Sequence, residues 1–91
     1  MLMKKIAVIV RDRQSEALRM GVGLTILNDR VDIFVIDQKL EETEDVRFNL
    51  EMTREIGLKL FTNVRENSGM EYIPLCEIAD RLLQYDHVLP Y

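Results

Sequence analysis

Ile6-Ala7-Val8-Ile9-Val10, the polar run Arg11-Asp12-Arg13-Gln14-Ser15, a helix-length segment from Glu16 to Leu27, and Val31-Asp32-Ile33-Phe34-Val35-Ile36 together decide the fold. A short β-rich run without polar alternation suits a strand buried on both faces, as in a parallel sheet. For the second strand to return parallel to the first, the chain needs a crossover of about a dozen residues, and a helix supplies it. Lys4–Asp37 therefore reads as one βαβ unit.

The first helix is expected to start near Ser15, with Asp12 or Ser15 as N-cap. Its body, Ala17 to Leu27, carries only Arg19 and Thr25 as polar residues. A helix apolar around most of its circumference is buried on more than one side. Either neighbouring helices of the same chain cover it, or a partner subunit does, in which case Met20 and Leu24 are the interface candidates. Gly21 and Gly23 each cost roughly 1 kcal/mol of helix propensity, which close backbone packing would explain. Asn28-Asp29 is the turn into the second strand.

Beyond Asp37, the acidic block Glu41-Glu42-Thr43-Glu44-Asp45 suits the positive end of a second helix, with Thr43 as N-cap. Val46, Leu50 and Thr53 fall at helical spacing, Phe48, Met52 and Ile56 form an adjoining stripe, and Gly57 is a natural stop. Leu58–Val64 reads as a third strand and Arg65–Glu71 as a polar loop. Pro74 suits the first turn of a third helix carrying Leu75, Ile78, Ala79, Leu82 and Leu83. His87-Val88-Leu89-Pro90-Tyr91 is a closing strand, placed at a sheet edge by Pro90. The order β-α-β-α-β-α-β predicts an α/β fold with about three helices and a four-stranded, mainly parallel sheet.

Ninety-one residues, 47% hydrophobic and 31% charged, suit a single domain spanning 1–91. Twelve basic against sixteen acidic residues give a net charge of −4, which argues against nucleic-acid binding. No segment approaches the roughly eighteen apolar residues of a membrane span. The N-terminus lacks a secretory pattern, and the single cysteine, Cys76, permits no internal disulfide. Together these features lead us to expect a cytoplasmic protein.

Familiar sites are missing. No glycine-rich dinucleotide or P-loop pattern follows the first strand. There is no C-x-x-C pair. One His and one Cys cannot supply a soft-ligand metal site, and no cofactor is indicated. Neither a serine triad built on His87 nor a receiver-type acidic cluster built on Asp12 is complete. His87, Asp86 and the Glu41–Asp45 block read as a strand start, a helix-end turn and a solvated helix start.

What is left gathers at the C-terminal edge of the sheet, where ligands bind in open parallel folds. Cys76 is the candidate catalytic residue, since a thiol in the first turn of a helix gains thiolate character; the alternative is a small apolar core residue. Arg11, Arg13 and Ser15, at the mouth of the first helix, and Asn63 and Asn67, in the third loop, are candidates for holding a small anion or nucleotide. The alternative for the arginines is a solvated loop.

Ser15-Glu16-Ala17-Leu18-Arg19-Met20-Gly21-Val22-Gly23-Leu24-Thr25 leading into Val31-Asp32-Ile33-Phe34-Val35 resembles the opening of DsrE/DsrF/TusD-like proteins. The ending, Ile78-Ala79-Asp80-Arg81-Leu82-Leu83-Gln84-Tyr85-Asp86-His87-Val88-Leu89-Pro90-Tyr91, resembles theirs too. The resemblance implies a small flavodoxin-like sandwich that assembles into homo-oligomers, or into hetero-oligomers with related subunits. It also implies sulfur-relay chemistry, in which members carry a persulfide on a cysteine just after the third strand. The corresponding loop here, Thr62–Gly69, is short and holds no cysteine. Several members also lack that cysteine and serve as structural partners, so the resemblance implies an accessory subunit, or else a carrier in which Cys76 replaces the usual thiol.

Overall fold

The computed structural model describes residues 4–26 and 30–91; Leu27 and the expected turn Asn28-Asp29 lie outside them. The chain runs β1 (Lys5–Val10), α1 (Gln14–Thr25), β2 (Arg30–Val35), α2 (Glu44–Glu55), β3 (Lys59–Thr62), β4 (Glu71–Tyr72), α3 (Leu75–Leu82) and β5 (His87–Pro90). All strand pairs are parallel, in the order β4-β3-β2-β1-β5. The arrangement is α/β and flavodoxin-like.

Among the described residues the sheet has five strands, where the sequence suggests four. The additional strand, β4, lies in what reads as polar loop. It is two exposed residues long, and its pairing (Phe61 with Glu71, Thr62 with Tyr72) is a backbone matter that leaves no apolar signature. β5 lies at the opposite edge, where Pro90 is tolerated.

The pleat sends alternate residues of each strand to opposite faces. Ile6, Val8 and Val10 of β1 and Val31, Ile33 and Val35 of β2 pack with Ala17 and Leu18 of α1 and Val46 of α2. Ala7, Ile9, Phe34 and Phe61 point the other way and meet Ile73 and Ile78, beneath α3. Two helices cover one face and one short helix the other. Of the apolar positions expected on α3, Ile78 is buried and Leu82 half-buried, while Leu75, Ala79 and Leu83 are exposed.

α1 begins at Gln14, earlier than expected. Arg13 occupies the N-cap position without a side-chain bond, so neither Asp12 nor Ser15 caps it. The reason lies in the side chain of Gln14, which is buried and bonded to the β2–α2 loop. Within the chain, α1 buries one face through Gln14, Ala17, Leu18 and Gly21. α2 flanks it, with Asn49 Nδ2 donating to Ser15 Oγ at 3.0 Å. A Cβ at Gly21 would lie 2.6 Å from Ile33 Cδ1, so close approach to β2 explains this glycine. Gly23 is exposed, with nothing within 4 Å of a Cβ among the described residues, and packing against them does not account for it.

Thr43 caps α2, its hydroxyl accepting from Val46 N at 3.2 Å. Gly57, at φ 83°, follows the helix in the left-handed conformation that favours glycine.

Candidate functional site

The loops beyond the C-terminal ends of β1, β2 and β3 are joined by polar side chains. Asp37, just past β2, has φ 65°, a conformation that Asp tolerates better than most residues. Its backbone N–H donates to Asn63 Oδ1 at 2.8 Å, and Asn63 Nδ2 donates back to Asp37 Oδ1 at 3.1 Å. Gln38 Nε2 donates to Asp12 Oδ1 at 3.1 Å, tying the β2 loop to the β1 loop.

Asn67 is the centre of this edge. It is buried, and its Oδ1 accepts from Leu40 N at 2.9 Å. Its Nδ2 donates to Gln38 O and to Thr62 Oγ1, both at 3.1 Å. Gln14 does the same work from α1: Oε1 accepts from Glu41 N at 2.8 Å and Nε2 donates to Lys39 O at 3.3 Å. Among the described residues no buried side-chain polar atom lacks a partner.

The candidate anion ligands are engaged with the protein itself. Arg11 lies 3.9 Å from Asp37 Oδ2, and Arg13 lies 3.6 Å from Glu16 Oε2 with its guanidinium 5.6 Å from the Tyr91 ring centroid. Arg13 N also donates to Tyr91 O at 3.0 Å. That contact bridges β1 and β5, where the strand order reverses and open parallel sheets hold their ligands. Ser15 accepts from Asn49, Asn63 is locked to Asp37, and Asn67 is enclosed. All five come to the same edge: Asn63 and Asn67 brace neighbouring loops, Ser15 ties α1 to α2, and the two arginines pair with nearby carboxylates. The pairings missed by sequence reasoning are those of Gln14, Asp37 and Gln38. Only Asp37 left a signal, as a residue tolerant of positive φ directly after a strand.

Cys76 is exposed, the second residue of α3. Met20 is 41% exposed on the outer side of α1, while Leu24 is half-buried and packs against the core. A cleft of about 210 Å³ opens between α2 and the loops flanking it, with Leu40, Val46, Leu50 and Met70 among its lining and Lys39 and Arg47 beside Glu42 and Glu66. Among the described residues no group of three His, Cys, Asp or Glu side chains is placed to hold a metal ion, and no helix is long and apolar enough to cross a membrane.

The fold is that of a small flavodoxin-like α/β domain, and at this edge polar side chains tie the loops after β1, β2 and β3 to one another. It is similar to the crystal structure of the YchN protein from E. coli, a DsrE/TusD-like fold, with a TM-score of 0.66 and 20% sequence identity over the full length of both chains. No family model matches the sequence, and neither does any curated protein.

Proposed function

We propose that this chain is a DsrE-like accessory subunit that acts by contact with other subunits, in sulfur-relay-like chemistry, without carrying sulfur itself. The observation behind this reading is the loop after β3. Where the resemblance puts a persulfide-bearing cysteine, this chain has Asn63 and Asn67, both used to brace neighbouring loops. A side chain enclosed by three such bonds is not free to present a reactive group to a partner. The exposed apolar residues Met20, on α1, and Ile26, at its C-cap, support assembly through that helix.

The exposure of Cys76 in the first turn of α3 supports a second reading, a carrier that uses this thiol instead. An anion-binding module has no comparable support, because the carboxylates of Asp37 and Glu16 compete for Arg11 and Arg13.

Sedimentation velocity tests the first reading. The purified chain should sediment as an oligomer, and Met20→Glu should shift it towards monomer with its circular dichroism unchanged. A parent protein that stays monomeric at high micromolar concentration would remove self-assembly from the proposal.

A further inference from the structure

We draw no further inference here: the strongest candidate, the apolar stripe of Phe48, Met52 and Ile56 along α2, is bordered by arginines and glutamates alike, and nothing in the structure shows what covers it.

Discussion

The Tyr85 hydroxyl donates to the Asp32 carboxylate at 2.5 Å, across 53 positions of sequence. Asp32 is 2% exposed in the middle strand of the sheet. Its ion-pair partner, Arg30, lies at 3.7 Å and is itself half in solvent. Tyr85 also sets its ring edge-on to Phe34, and Lys5 Nζ lies 4.9 Å from its centroid. One side chain therefore joins β2, β1 and the turn leading into β5. A buried carboxylate is tolerated in this core because the turn between α3 and β5 delivers it a donor.

Tyr85→Phe keeps the ring contacts and removes the donor. Leaving a buried carboxylate short of a hydrogen bond is expected to cost about 2 kcal/mol, read as a lower urea midpoint at neutral pH. A variant as stable as the parent would mean that Arg30 alone satisfies Asp32.

The same pair sets an alkaline limit. Burial first, and then the hydrogen bond to Asp32, push the Tyr85 hydroxyl above its ordinary value of 10.0. The folded protein then holds this proton more tightly than the unfolded chain does. The contribution is fully present below pH 10 and is lost as pH rises from there towards the folded-state value. Thermal melts across this range should show the parent losing stability more steeply than Tyr85→Phe. Parallel curves would contradict the assignment.

Asn67→Ala should be among the more damaging substitutions outside the apolar core. It removes an acceptor for Leu40 N and a donor to Gln38 O and Thr62 Oγ1. A loss of about 3 kcal/mol is expected from groups stranded away from water. Faster amide exchange at Leu40 would locate the damage in the loop after β2.

How much of this was legible beforehand follows from the range of each interaction. Thr43 and Gly57 bracket α2 through bonds and dihedrals a few residues long, and both can be read locally. Pro90 marks an edge strand for a reason carried by the residue itself. β4 could not be seen, because two exposed residues have no periodicity and pair only through their backbone. The burial of Gln14 and Asp32 depends on partners 27 and 53 positions away, which no local pattern of the sequence carries. Arg11, Arg13, Asn63 and Asn67 lie in the loops at the C-terminal edge of the sheet. What composition cannot convey is that they bond to one another's loops.

Gly21 and Gly23, which look alike in sequence, should respond in opposite ways. Gly21→Val forces a branched side chain against Ile33 and is expected to destabilise by about 3 kcal/mol. Gly23→Ala fills open space and should stabilise an isolated chain by about 0.5–1 kcal/mol through helix propensity alone. If Gly23→Ala instead weakens sedimenting oligomers, Gly23 is a subunit contact, which would explain its presence.

Because Cys76 is exposed, a thiol reagent should label it fully in the native protein, at a rate that denaturant changes little. Labelling that requires unfolding would contradict its placement on α3.

The most direct test of the accessory reading is the intact mass of the native protein after treatment with an equimolar persulfide donor and removal of that donor, with Cys76→Ser alongside. An accessory subunit should return both proteins at unchanged mass. A retained gain of one sulfur atom, present in the parent and absent from Cys76→Ser, would contradict this and make Cys76 a sulfur carrier.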